Sequence, residues 1–222
     1  MLALLHTSPV HVPVFDALRD LGHPGLELRH LVDEELLEEA RAEGPGAGAV
    51  AARVAALLGQ AAAAGAGAVL CTCSTIGAAA ESAGTRAGIP VLRVDRPMAA
   101  EAVALGSRIV VAAALESTLA PTTALIEEEA ERAGRAVRVR TLLAPGAWEL
   151  FTAGDRAGYL AAVAAAVGTA ADADAVVLAQ ASMADAAALT PGTVPVLSSP
   201  RPGLRAAAAA LRARSGDQGE EF

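Results

Sequence analysis

The feature that most constrains this chain is an alternation. Short apolar runs of β type recur along it, each followed by a longer stretch of helical character. The runs are LALLH (2–6), LELRHLV (26–32), AVLCT (68–72), PVLRV (90–94), RIVVAA (108–113), VRVRTLL (137–143), AVVLA (175–179) and VPVLS (194–198). A helix after each strand carries the chain back to where it began, so successive strands pair in parallel and the helices cover both faces. A first helix is expected from about Pro9 to Leu21. EELLEEARAEG starts another, GPGAG (44–48) breaks it, and AVAARVAALLGQAAAAG resumes the pattern. The apolar fraction is 54%, largely alanine, with three Phe, one Tyr and one Trp. Such a core must be closed by near approach of backbones rather than by large side chains.

The pattern also repeats. AVLCTCST (68–75) aligns without a gap to AVVLAQAS (175–182), each a buried strand entering a polar loop and then an alanine-rich helix. The expected fold is therefore α/β, with two pseudo-symmetric doubly wound lobes and parallel sheets. DRPMA (95–99) marks the boundary, and LSSPRPG (197–203) returns the chain to the first lobe. Residues 1–97 plus 198–222 are expected to form the first lobe and residues 98–197 the second. The final RSGDQGEEF reads as a solvated tail. Open α/β sheets take their ligands outside the carboxyl ends of their strands.

The formal net charge of −8 argues against a nucleic-acid or anionic-membrane surface. A small anion can still be held by backbone N–H groups. MLALLHTSPVHVP lacks the basic region of a signal peptide, and AAAAGAGAVL is too short and glycine-rich to span a bilayer. Cys71 and Cys73 are the only cysteines, and two thiols one residue apart are no disulfide framework. The expectation is a soluble, cytoplasmic protein. Homodimerisation accords with the habits of soluble proteins, but no interface is legible in the chain.

Cys73 falls where a strand should end and a helix begin, and unpaired N–H groups there stabilise a thiolate. The competing reading is a small buried hydrophobe. Ser74 and Thr75 either cap the helix or donate to a carboxylate, and Gly77 allows close approach. Cys71 should point to the same side but deeper, as packing. A metal site is not expected, because Cys-x-Cys has no further ligand cluster and His6, His11, His23 and His30 are distant in sequence. Three more loops carry hydroxyls: HTSP with Thr7 and Ser8, ESTLAPT with Ser117 and Thr118, and QASMA with Gln180 and Ser182. Each alone is an ordinary cap. Four such loops gathered at strand ends would form a pocket of neutral donors suited to a small carboxylate. Asp33, Asp95 and Glu116 read as caps or surface charges, and Trp148 as packing between domains. No Walker loop, G-x-S-x-G elbow or G-x-G-x-x-G after the first strand is present, so no nucleotide cofactor is expected.

These phrases resemble the aspartate/glutamate racemase superfamily, which includes hydantoin racemases, arylmalonate decarboxylases and maleate isomerases. The resemblance rests on LLHT, TCSTIG, PVLRVDRPMAAEAV, TLAPTTAL, VVLAQASMA and PVLSSPRPG, in that order along nearly the whole chain. It implies two α/β lobes with the substrate between them and cofactor-free proton transfer by one cysteine from each lobe. Cys73-Ser74-Thr75 matches the first cysteine loop, which places Ser74 and Thr75 where the family holds a carboxylate. Ala179-Gln180-Ala181 matches the second loop, with Gln180 in place of its cysteine. Ala114 stands where relatives often carry a hydroxyl, leaving Ser117 and Thr118.

An amide is no general base near neutral pH, and Ser182 has no evident activating base. The expected activity is a cofactor-independent isomerase or lyase of a small carboxylate or amino-acid-like substrate, with Cys73 as acid/base or nucleophile. The alternative is a non-catalytic small-carboxylate binding protein on the same fold. A dinucleotide oxidoreductase would require cofactor binding.

Overall fold

The protein is described by a computed structural model over residues 1–217, with side-chain environments given through Ala213. The chain divides into two compact units, Met1–Val94 with the segment from Pro200 onward, and Asp95–Ser199. All eight apolar runs form strands, and each unit holds one four-stranded parallel sheet.

In the first unit the strands are β1 (Leu2–His6), β2 (Leu28–Val32), β3 (Ala68–Cys71) and β4 (Val91–Arg93), in the order β2-β1-β3-β4. The helices are α1 (Val12–Gly22), α2 (Glu35–Glu43), α3 (Gly48–Ala63), α4 (Gly77–Ala87) and, from the far end of the chain, α9 (Pro200–Asp217). Alternation along the strands sorts the side chains by face. Ala3, Leu5, Val69 and Cys71 pack against α3 and α4 through Val54, Leu58, Ile76 and Ala80. Leu2, Leu4, Ala68 and Leu70 meet Phe15 of α1 and Leu204 and Ala207 of α9. Of the expected tail, the backbone through Asp217 continues α9; residues 218–222 lie outside the described residues.

In the second unit the order is β6-β5-β7-β8, from β5 (Arg108–Ala113), β6 (Arg138–Leu143), β7 (Ala175–Leu178) and β8 (Val196–Ser198). α5 (Arg96–Leu105) and α6 (Leu119–Arg132) cover one face through Met98, Val103, Leu125 and Ile126. α7 (Ala147–Thr152) and α8 (Arg156–Val167) cover the other through Ala147, Tyr159 and Val163. The alanine-rich segment Ala181–Leu189 winds as a 3-10 helix and not as the expected α-helix. Met183 and Ala186 bury against α8, and this packing overrides the intrinsic preference of alanine.

Small residues bring the elements close, as the composition required. A Cβ on Gly84 of α4 would stand 2.3 Å from Val91 Cγ2, and one on Gly203 of α9 would stand 2.5 Å from the Val94 carbonyl oxygen. In both sheets the chain order reverses beside the central pair, β1/β3 in one and β5/β7 in the other. The elements that follow those pairs pack on opposite faces of their sheet, an arrangement in which open α/β folds take ligands outside the carboxyl ends of the strands.

Candidate active site

In the first unit the loops after β1 and β3 carry Thr7, Ser8, Cys73, Ser74 and Thr75. Cys73 is half-buried and Cys71 fully so, and neither is part of a disulfide. Both pack on the apolar cluster under α3 and α4, as period-2 alternation requires. The Cys71 thiol donates to the Cys73 carbonyl oxygen at 3.6 Å. α4 begins at Gly77, four residues beyond Cys73, and its N-cap Ile76 has no capping side chain. The Thr75 hydroxyl is buried and bonds nothing, so it does not cap. Ser8 stands at the head of the short 3-10 turn Pro9–His11, likewise without a side-chain cap bond. Thr7 is buried.

Gly77 has a reason to be glycine. A Cβ there would fall 2.6 Å from Nε of Arg93, a guanidinium buried at the end of β4. Asp95, two residues on, is also buried. The one sequence sign of Arg93 was an arginine closing an otherwise apolar strand.

His6, His11 and His30 meet on the other face of the first sheet. The Thr72 hydroxyl donates to the Leu5 carbonyl oxygen at 3.0 Å, so it accepts from His6 Nδ1–H at 2.7 Å. His6 Nε2 is then the acceptor for His30 Nδ1–H at 2.8 Å, and His30 Nε2 lies 3.4 Å from Asp16 Oδ1. The His11 ring centroid is 6.2 Å from that of His6. Burial first, then the neighbouring His11 and His30, holds the His6 pKa down at about 3. Burial holds His11 at about 4. Both rings are neutral at physiological pH. No group of three or more His, Cys, Asp or Glu among the described residues is arranged to hold a metal ion.

In the second unit the loops after β5 and β7 carry Ala114, Ser117, Thr118, Gln180 and Ser182. The Gln180 side chain reaches back across the sheet, and its Oε1 accepts from Ala114 N–H at 2.8 Å and Leu115 N–H at 2.9 Å. Two donors fix which end of the amide faces the turn, so the NH2 group points elsewhere as a pure donor. Thr118 Oγ1 donates to the Leu115 carbonyl oxygen at 2.7 Å. The Ser117 hydroxyl is buried without a partner. Ser182 Oγ lies 2.8 Å from the Tyr159 hydroxyl, and burial pushes that phenol up to about 12. Glu116 is exposed. Asp33 behaves as expected, accepting from Leu36 N–H at the start of α2 and binding Arg53. Trp148 stacks on Phe151 of its own helix, with ring centroids 5.0 Å apart.

Cys73 and Gln180 occupy the same place in their units. Leu5 pairs with Cys71 and Ala112 with Leu178, so one more pleat sets Thr7 beside Cys73 and Ala114 beside Gln180. The sequence echo is thus a structural one. No helix among the described residues is long and apolar enough to cross a membrane.

The architecture recurs in solved structures. Glutamate racemase isoform RacE1 from Bacillus anthracis matches with a TM-score of 0.70 at 16% identity, over 96% of this chain and 82% of that one. Allantoin racemase from Pseudomonas fluorescens matches with 0.61 at 20% identity, over 96% and 92%. Aspartate racemase of Picrophilus torridus matches with 0.64 at 13% identity, over 97% and 94%. Likeness at such identities establishes the fold. No curated protein matches the sequence. The family model described as Asp/Glu/Hydantoin racemase matches residues 13–210, most of the chain. With the two parallel sheets and the paired loops at their strand ends, this shows that the chain belongs to the Asp/Glu/hydantoin racemase family.

Proposed function

We propose that the protein is a cofactor-independent isomerase or lyase of a small carboxylate, with Cys73 as its one thiol acid/base. The observation that carries this reading is the pair of equivalent positions, a half-buried thiol in one unit and an amide tied to Ala114 and Leu115 in the other. A racemase inverts a centre by removing a proton from one face and returning it to the other. An amide neither takes up nor gives a proton near neutral pH. A single thiolate removes the Cα proton, leaves an enediolate, and returns a proton to the same face. With a substituted malonate, loss of carbon dioxide forms the enediolate and the thiol protonates it. The unpartnered Thr75 hydroxyl, two residues past Cys73, is a donor for a carboxylate or enediolate oxygen.

The test is proton NMR in D2O with amino acids, hydantoins and small diacids, comparing wild type with Cys73→Ala. Deuterium at Cα without inversion, or stereospecific deuteration on decarboxylation, lost in Cys73→Ala, is the expected result. Full inversion would restore two-base chemistry and refute the argument from Gln180. No turnover of any compound would favour a small-carboxylate binding protein.

A further inference from the structure

The two units share more than their strands. β1 ends at His6, two residues follow, a three-residue 3-10 turn spans Pro9–His11, and α1 starts at Val12. β5 ends at Ala113, two residues follow, a three-residue 3-10 turn spans Glu116–Thr118, and α6 starts at Leu119. Thr7 and Ser8 therefore correspond to Ala114 and Leu115. Ser8 (φ −157°, ψ 135°) and Leu115 (φ −118°, ψ 122°) are both extended. The neighbouring strand also matches, with Thr72 N–H donating to the Leu5 carbonyl and Ala179 N–H to the Ala112 carbonyl.

In the second unit this turn binds an acyl oxygen, since Gln180 Oε1 takes both N–H groups. In the first unit the residue at that position is Cys73. Its sulfur stands one carbon from the backbone, whereas the glutamine oxygen stands beyond three. The arm that fills the turn in one unit is missing from the other. Independently, the buried Thr75 hydroxyl, two residues past Cys73, has no partner. A hydroxyl so placed is normally satisfied by water or ligand.

We propose that the backbone N–H groups of Thr7 and Ser8 form the oxygen-binding pocket beside Cys73, taking one carboxylate or enediolate oxygen of the substrate as Gln180 Oε1 is taken in the second unit. The inference deepens the one-thiol reading and rests on it for the identity of the oxygen. Binding itself is independent of the thiol. The pocket contributes two uncharged donors, which hold a carboxylate and strengthen as charge builds on its oxygens. The Gln180 side chain is its built-in mimic.

The experiment is amide NMR of three variants titrated with sodium malonate, with sodium maleate and hydantoin as further probes. Cys73→Ala leaves the pocket open, and the Thr7 and Ser8 amides should shift on addition of malonate. Cys73→Gln supplies the missing arm, so those two amides should already sit downfield, exchange more slowly with solvent, and bind malonate at least tenfold more weakly. Gln180→Ala empties the second turn, and Ala114 and Leu115 should then respond to malonate as Thr7 and Ser8 do. The last variant keeps the test decisive if Cys73→Gln fails to fold. Unmoved Thr7 and Ser8 amides in Cys73→Ala with all three probes would overturn the proposal, as would equal malonate affinity in folded Cys73→Gln. Failure of one-thiol chemistry is separately visible, as absent deuterium exchange in wild type while Cys73→Ala still binds malonate at these amides.

Discussion

Lowering the pH from 7 to 5 should weaken the fold through His6. The ring is fully buried, between Thr72, His30, His11 and Phe15, and its pKa is held at about 3 against an ordinary 6.5. Because the folded value lies below the unfolded one, the unfolded chain takes the proton first. Stability is whole above about pH 6.5, falls as the pH drops through that value, and stops falling below about pH 3. Between pH 7 and 5 the loss from His6 alone comes to about 2 kcal/mol. His11, held at about 4, adds in the same direction. Asp174 is outside this window, since its pKa near 2 makes its contribution fade only at more acid pH. Urea unfolding followed by circular dichroism at pH 7 and pH 5 measures the effect in wild type and in His6→Asn. Asparagine keeps a donor for Thr72 and removes the titration. The variant should be less stable at pH 7, but its loss on acidification should be smaller by about 2 kcal/mol. An equal loss in both proteins would refute the assignment, and so would a His6 ring that titrates by NMR near 6.5.

Gly84→Ala would force a Cβ to within 2.3 Å of Val91 Cγ2, and such overpacking should cost about 1–3 kcal/mol in urea unfolding. Tyr159→Phe removes the partner of Ser182 and should cost about 1 kcal/mol, leaving the far-ultraviolet spectrum unchanged. Asp174 binds the Ser107 and Arg108 N–H groups and the Arg108 guanidinium, which lower its pKa to about 2. Asp174→Asn should therefore lower the thermal midpoint at neutral pH. The gap from wild type should narrow as the pH falls below 3.8 toward 2, because the aspartate is then losing its charge. Gln180→Cys removes the acceptor of two buried N–H groups and should cost about 2 kcal/mol, read from the urea midpoint. In the same variant, a gain of inversion in D2O would show that a second thiol is what wild type lacks.

The strands were legible because apolar runs of five to seven residues between helical stretches leave few other assignments. The two faces of each sheet followed from alternation, as Cys71 and Cys73 on one side and His6 and Thr72 on the other illustrate. The histidine chain was not legible. His6, His30 and Asp16 meet only because β1 pairs with β2 on one side while α1 lies over that face. The hydroxyl loops were read singly as helix caps, yet Ser8 makes no cap bond and the Thr75 and Ser117 hydroxyls make none at all. Their residue types suit capping, and only the positions of α4 and the 3-10 turns show that they do not serve it. Gln180 stood out as a departure from the family's cysteine. That its oxygen would be turned inward depended on a cross-strand register fixed by the fold.

A duplicated fold supplies its own control, and here it separates two uses of one turn. The residues bearing the paired N–H groups in the second unit, Ala114 and Leu115, are 5% and 8% exposed, so leaving those donors unmet would be costly. The chain meets them internally through Gln180, which stabilises that unit and turns the remaining amide hydrogens into fixed donors. The first unit keeps the same turn but sets a thiol beside it, too short to fill it and able to exchange a proton. An arm long enough to satisfy the turn occupies the place where an acyl oxygen would bind, while a side chain short enough to leave that place open gives up two hydrogen bonds. One position cannot serve both ends. With two copies the chain has divided them, an amide that closes its turn in one unit and a thiol that leaves its turn open in the other.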